Sequence, residues 1–195
     1  FPVLFLGAKP SNTPALYSLM NYADISLGTW YPEGGMYEIV KGIYKLALEL
    51  GVEFHFDTNV LSIPVKDAKT EPVITDKGLF AADIVVGGAD YHHIDQNLLD
   101  KKYSNYSAEY WDKRTMAPSS LIYYLGINKK IDGILHHNLF FDTDFNEHAS
   151  EIYDEPKWPI NPLFYVSATS KTDSNVAPEG SENLFILIPT APGLD

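Results

Sequence analysis

Between Pro32 and Leu50 a Pro-Glu-Gly-Gly turn runs straight into an amphipathic segment, and this pairing restricts the fold more than any other stretch. Met36, Val40, Ile43, Ala47 and Leu50 recur at alternating steps of four and three, the spacing that lines one face of a helix. Glu38, Lys41, Lys45 and Glu49 fall mostly away from that stripe. Gly51 supplies the left-handed stop with which helices commonly end. A helix with a single apolar face needs a second layer, so the spacing predicts a helix opening at Met36 that packs on a sheet.

The flanking segments supply strands. Ile25 to Trp30 reads as a strand closed by the Pro32–Gly35 turn. Upstream of it, Ser11-Asn12-Thr13-Pro14 predicts a helix start, with Thr13 as N-cap and Pro14 at the first helical position, running through Ala15, Leu16, Leu19 and Met20. Val52 to Phe56 alternates apolar and polar residues, as a strand does, and Val60 to Val65 reads as a second strand. Val73–Thr75 and Leu79-Phe80 bracket Asp76-Lys77-Gly78 and predict a hairpin. Ala82 to Val86 is continuously apolar, as expected of a strand buried on both faces. It ends at Gly87-Gly88-Ala89-Asp90, where backbone can approach a ligand closely. Tyr91 to Tyr110 is expected to be partly helical. Ser120–Ile127, Asn138–Phe141, Leu163–Ala168 and Leu184–Pro189 follow as strands, with a helix over Phe145–Tyr153 and a polar loop over Ser170–Glu182. The fold class expected is α+β, a mixed or antiparallel sheet packed with helices.

Several chemistries are excluded or disfavoured. A net charge of -12 leaves no concentrated basic surface for nucleic acid. The absence of cysteine removes disulfides, thiolate nucleophiles and Cys-ligated metal sites. No apolar run reaches the ~20 residues of a membrane-spanning helix. There is no Gly-x-Ser-x-Gly elbow and no Gly-x-x-x-x-Gly-Lys loop, so hydrolase and nucleotide-kinase readings have no motif behind them. His92-His93 and His136-His137 are adjacent pairs, whose side chains on a strand point to opposite faces, and no metal site is expected. His92 and His93, just after the Gly-Gly-Ala-Asp turn, are the better placed to line a pocket; His136 and His137 are expected near a surface or interface. Asp142 with Asp144, and Asp83 with Asp90, are acid–base candidates that a solvated loop explains equally well. The Gly34-Gly35 pair can serve a tight turn or present N–H groups to an anion or cofactor edge at a helix start. The 13 Tyr, 10 Phe and 3 Trp fit either a dense core or an apolar tunnel for a lipid-like substrate, and composition leaves both open.

Taken in order, the motifs form a pattern. Leu27-Gly28-Thr29-Trp30-Tyr31-Pro32-Glu33-Gly34-Gly35-Met36, then Gly51-Val52-Glu53 with Asn59-Val60-Leu61-Ser62-Ile63, then Ala82 to Tyr91, resemble interior segments of bacterial-type phytoene desaturases. Those enzymes belong to the carotenoid and retinoid oxidoreductases, within the amine-oxidase-like flavoprotein superfamily. Ser119 to Gly126, His136 to Phe141 and the Ser170–Gly180 loop continue the resemblance, which covers essentially the whole chain. It implies the substrate-domain fragment of an FAD-linked flavoprotein fold that lacks the N-terminal Rossmann motif, with no Gly-x-Gly-x-x-Gly turn in the sequence. The chain has neither an initiator Met nor a closing element and is expected to be an interior piece of a longer protein.

The resemblance divides the chain into residues 1–29, part of a substrate domain, residues 30–100, on the FAD side, and residues 101–195, again substrate domain. It implies a parent that desaturates a long isoprenoid such as phytoene by hydride transfer to flavin, in the cytoplasm and peripheral to a membrane. Val60 matches a position whose backbone meets the adenine end of FAD. Gly87, Gly88 and Ala89 follow a strand that passes close to the cofactor, and Gly34 and Gly35 sit at a helix start near the domain junction. No residue is assigned as catalytic, and the fragment alone is expected to be inactive and to retain little or no FAD. A carotenoid isomerase, a ketolase-like oxygenase and a retinol saturase-like enzyme share these segments. A non-catalytic lipid-binding or interaction module is the alternative from another class.

Overall fold

The computed structural model describes residues 8–114 and 116–194. In chain order the regular elements are α1 (Ser18–Tyr22), α2 (Tyr37–Glu49), β1 (Val60–Ser62), β2 (Val65–Lys66), β3 (Lys69–Thr70), β4 (Val73–Thr75), β5 (Gly78–Phe80), α3 (Tyr91–His93), α4 (Ala108–Asp112), β6 (Ser119–Ile127), β7 (His137–Phe140), α5 (Phe145–Tyr153), β8 (Phe164–Ser167) and β9 (Glu182–Thr190). The class is α+β with antiparallel sheets. The chain forms two compact units, one from residues 1–50 and 116–195, the other from residues 51–115.

The first unit is built on a four-stranded antiparallel sheet of order β6-β9-β8-β7. β6 and β9 pair without interruption from Ser119↔Thr190 to Ile127↔Glu182. Both are rich in the β-branched and aromatic residues that suit a pleated surface. α5 starts at Asp144, whose carboxylate accepts from the Asn146 N–H at 2.8 Å. It turns Ala149 and Ile152 into the core with Leu163, which is 1% exposed. His148, on the same helix, accepts from the Leu163 N–H at 3.1 Å through Nδ1 and meets the Pro189 carbonyl at 2.8 Å through Nε2. That ring ties helix, loop and central strand together.

The far end of β9 is held by charge. Glu182 is buried, pairs with Lys171 at 2.7 Å and Lys130 at 3.9 Å, and accepts from the Ser170 hydroxyl. The hydrogen bonds from Lys171 and Ser170 outweigh burial and hold its carboxyl down at about 2, against an ordinary 4.5.

Two expectations for this unit are corrected. Ile25–Trp30 is not a strand: Ala23–Leu27 is a π-helical turn continuing α1, stopped by Gly28 at φ +76°. Thr13 does not cap the first helix. Its hydroxyl donates to the Lys9 carbonyl at 2.9 Å, Pro14 is the N-cap of a 3-10 turn over Ala15–Tyr17, and α1 follows with Tyr17 as its N-cap. α2 forms as expected, but its stripe is not packed on a sheet. No residue of it is buried, and Ile43 is 66% exposed.

The second unit holds the three-stranded antiparallel sheet β1-β4-β5 and the β2-β3 hairpin. The β4–β5 hairpin closes at Asp76-Lys77 with Thr75↔Gly78 as its last pair. The Ile63 N–H donates to the Leu98 carbonyl at 2.8 Å, and both side chains are buried. Asp95, 0% exposed, is its polar centre. Its carboxylate accepts from Asn105 N–H at 2.8 Å, Gln96 Nε2 at 2.7 Å and Trp111 Nε1 at 3.3 Å. Burial pushes this acid up, and those three donors pull it further down. Around it Tyr91, Tyr106 and Tyr110 pack edge-on to Trp111.

Val52–Phe56 and Ala82–Val86 are not strands here. Neither has a ladder partner among the described residues, and Ile84 and Val86 are 80% and 88% exposed rather than buried on both faces. A strand needs a neighbour for its backbone groups, and composition alone does not supply one.

Glu182 is lowered on folding, so its contribution is present above pH 4.5 and is lost as pH falls toward about 2. Glu182→Gln is expected to melt lower than the parent at neutral pH, with the gap between the two narrowing through that window. A constant gap across the titration contradicts this assignment. His148→Ala, which strands a buried N–H and a buried carbonyl, is expected to cost roughly 2–4 kcal/mol in urea denaturation.

Candidate functional site

The site is generated by register. Tyr124 opposes Phe185, Phe185 opposes Ser167, and Ser167 opposes His137. Directly opposed residues of antiparallel strands share a face, so these four side chains form one row across the sheet. Tyr165, two residues from Ser167 on β8, stands on the same face. A cavity of about 600 Å³ lies over this face, lined also by Tyr31 and Met36 from either end of the Gly-Gly turn.

One corner of the cavity is polar. His137 Nδ1 and the Tyr165 hydroxyl are 2.5 Å apart, and His136 Nδ1 lies 2.6 Å from Thr172 Oγ1. The rings of His136 and His137 are 4.3 Å apart, and His136 meets Tyr31 edge-on at 4.7 Å. The expectation that adjacent histidines point to opposite faces is therefore corrected for this pair. β7 begins at His137, and His136 precedes it, outside the strand alternation. Nε2 of His136 is buried and, among the described residues, has no hydrogen-bond partner. Burial, then the neighbouring His137, lowers the basicity of His136, which keeps it neutral at neutral pH. A second cavity of about 460 Å³ shares Tyr31, His136 and His137 with the first and is otherwise polar, with Glu33, Asp173 and Asn175 in its wall.

Gly34 and Gly35 lie in this unit, at φ +87° and +106°. The Gly34 N–H donates to the Asp173 carboxylate at 2.7 Å, and the Gly35 N–H to the Pro32 carbonyl at 3.1 Å. Hydrogen bonds from Asn175 and Gly34 hold the Asp173 carboxyl below its usual range. The turn thus carries its own anion, and its glycines position Tyr31 and Met36.

Val60, Gly87, Gly88 and Ala89 are brought together in the other unit. They line one cavity of about 360 Å³ with Ile63 and Leu98. Among the described residues the N–H groups of Gly87, Gly88 and Ala89 have no backbone partner. A Cβ on Gly87 would stand 2.6 Å from the Ile94 Cδ1. His93 lines this cavity too, with Nδ1 3.1 Å from Asn97 Nδ2, whereas His92 packs edge-on against Trp111 at 5.2 Å. Among the described residues no group of three or more His, Asp or Glu is placed to hold a metal. Tyr31, Tyr165 and Thr172 were not singled out by sequence. Only strand alternation, which sets Tyr165 on the face of His137, carried a signal for one of them.

No protein-family model matches the chain. It is 40% identical over 194 residues to a carotenoid 3,4-desaturase of Haloarcula japonica, covering 100% of this chain and 39% of that protein. It is 34% identical over 190 residues to a zeta-carotene-forming phytoene desaturase of Myxococcus xanthus, covering 97% of this chain and 36% of that one. The chain is a relative of the carotenoid desaturases. A 4,4'-diapolycopene oxygenase of Methylomonas is 32% identical over 194 residues, covering 99% of this chain and 38% of that protein. The chain thus spans under two fifths of the length of these carotenoid desaturases and their oxygenase relative.

Two glycine substitutions separate positions that differ in backbone demand. Gly35→Ala forces an L-residue to φ +106° and is expected to cost about 1–3 kcal/mol. Gly87→Ala asks only the end of Ile94 to move, and its cost is offset by about 0.4–1 kcal/mol of lost unfolded-state freedom. Equal losses in denaturant titrations contradict that contrast.

Proposed function

We propose that this chain is part of an FAD-dependent carotenoid desaturase that dehydrogenates a long isoprenoid such as phytoene. The aromatic cavity on the sheet face holds the substrate chain. The observation that carries the reading is the Tyr124, Phe185 and Tyr165 wall, largely apolar, with Ser167, Thr169 and Asn183 among its lining and the imidazoles of His136 and His137 at one corner, in a relative of carotenoid desaturases.

FAD, when bound, accepts the hydride removed from the saturated carbon pair. The residues of this chain fit one stretch of such a group. The open amides of Gly87, Gly88 and Ala89 and the missing Cβ at Gly87 allow close approach beside Val60. On this reading residues 30–100 contribute the cofactor side and residues 1–29 and 101–195 the substrate side. Val60 and Gly87–Ala89 lie together in the compact unit at 51–115, whereas residues 30–50 of this cofactor side belong to the other unit. Gly34 and Gly35 serve by shaping the turn that carries Tyr31 and Met36. The work of this chain is to orient an apolar substrate and exclude water from it. No helix among the described residues is long and apolar enough to cross a membrane. We place the protein in the cytoplasm, at a membrane surface, because its substrate partitions into lipid.

The test is the visible spectrum of the longer protein, purified after expression. Flavin bands that leave with the supernatant on denaturation, together with turnover of phytoene, are expected. A folded, colourless protein that takes up no added FAD contradicts the proposal and moves the assignment to a lipid-binding module. This chain alone is expected to retain little FAD in an equilibrium titration.

A further inference from the structure

Dehydrogenating a saturated carbon pair removes a hydride from one carbon and a proton from its neighbour. The hydride carries its electron pair away, and the electrons of the second C–H bond become the new π bond. The proton needs an acceptor. A C–H beside a carbon that is losing hydride is acidic enough for a weak base. What matters is that the base reaches the substrate and has an exit to water.

In the first unit one hydrogen-bonded pair leads from the apolar cavity to the polar one. Tyr165 lines the apolar cavity alone of these two, and His137 lines both. The Tyr165 hydroxyl and His137 Nδ1 are 2.5 Å apart. A phenol gives up its proton more readily than a neutral imidazole, so Tyr165 donates, Nδ1 accepts, and the ring proton sits on Nε2. His137 is exposed, and among the described residues its Nε2 has no partner. An imidazole that accepts from a hydroxyl makes that oxygen a better base, the logic by which a histidine activates a serine.

The surroundings favour the imidazolium that proton transfer creates. Glu33 and Asp173 line the polar cavity that His137 shares, and opposite charge stabilises a cationic ring. Hydrogen bonds from Asn175 and Gly34 keep Asp173 ionised. Tyr31, Tyr124 and His136 are the remaining titratable groups that share a cavity wall with the pair. His136 stands 4.3 Å away, ring to ring, and its lowered basicity keeps a second positive charge off the site. Its Nδ1 meets Thr172 and its Nε2 is buried, so it leaves no ring nitrogen open to a substrate.

We propose that Tyr165 and His137 together are the proton acceptor of the dehydrogenation. The Tyr165 oxygen receives the proton of the C–H bond as its own proton passes to Nδ1 of His137. The imidazolium then gives its Nε2 proton to water in the polar cavity, and exchange with that water restores the starting tautomer. The hydride goes to oxidised flavin, so protons and electrons balance. His136 is a positioning residue. The proposal rests on the desaturase reading, with the substrate chain on the sheet face.

Two measurements test it. Long-range ¹H–¹⁵N spectra of ¹⁵N-histidine in the purified chain report the ring nitrogens without flavin, the His137 signals being those lost in His137→Gln. Nδ1 is expected at the position of an unprotonated acceptor and Nε2 at that of a protonated nitrogen, with Nδ1 moving in Tyr165→Phe. A proton on Nδ1 overturns the proposal, because the phenol then has nowhere to send its own.

The second measurement is turnover of phytoene by the longer protein, compared at equal flavin content. His137→Gln is expected to lower kcat by about 10²-fold or more, with KM within about threefold of the parent. Adding Tyr165→Phe should cost little beyond the single variant, because the two act as a unit. In the parent, kcat should fall as pH drops through the imidazole range, since a protonated His137 cannot accept from Tyr165, and His137→Gln should lack that limb. If His137→Gln keeps kcat within about threefold, or keeps the acidic limb, the acceptor is wrong while the desaturase reading stands. A flavin-loaded parent that dehydrogenates no isoprenoid overturns both.

Discussion

The uninterrupted pairing of β6 with β9 is the constraint on which the first unit depends. Its register runs from Ser119↔Thr190 to Ile127↔Glu182, and a slip of one residue would turn Tyr124 and Phe185 away from the cavity. Both ends of β9 are tied by polar groups that have given up water. At one end the Pro189 carbonyl meets His148, and at the other Glu182 is clamped by Lys171, Lys130 and Ser170. Lys171 and Ser170 also begin the loop that carries Thr172 and Asp173, which in turn fix His136 and the Gly34 amide. The ion pair that secures the strand therefore also positions the polar corner of the site.

That coupling explains why the cavity has two characters. The sheet supplies the aromatic walls at fixed spacing together with Ser167, His137 and the Tyr165 hydroxyl, while the loops at its edge add His136, Thr172, Glu33 and Asp173. A neutral His136 suits such a boundary, because a charged imidazolium facing hydrocarbon would carry a desolvation cost with no counter-ion in contact. The Gly-Gly turn contributes by geometry. Its positive φ values let Tyr31 and Met36 reach the same cavity, and Asp173 satisfies the amide that the turn exposes.

Much of this was legible where a pattern depends only on local residues. The Phe145–Tyr153 helix, the Val73–Phe80 hairpin and the four strands of the main sheet follow from periodicity and turn residues. The failures are those of properties that belong to pairs. Val52–Phe56 and Ala82–Val86 have the composition of strands, but a strand exists only with a neighbour. The stripe of α2 is real, yet the residues described here do not cover it. For His136 and His137 strand alternation does not hold, since the strand starts at the second of them. Val60 and Gly87–Ala89 do converge on one cavity, whereas Tyr31 and Thr172 could not be found, because what distinguishes them is a neighbour remote in sequence.

The central claim is that an isoprenoid lies on the face of the sheet that carries Tyr124, Phe185 and Tyr165. Photolabelling the purified chain with a diazirine-bearing farnesyl probe, followed by peptide mapping, tests it most directly. Label is expected to concentrate on peptides of β6, β8 and β9 and to be displaced by excess unlabelled farnesol. Label confined to the exposed stripe of α2, or spread without saturation over the surface, would contradict it.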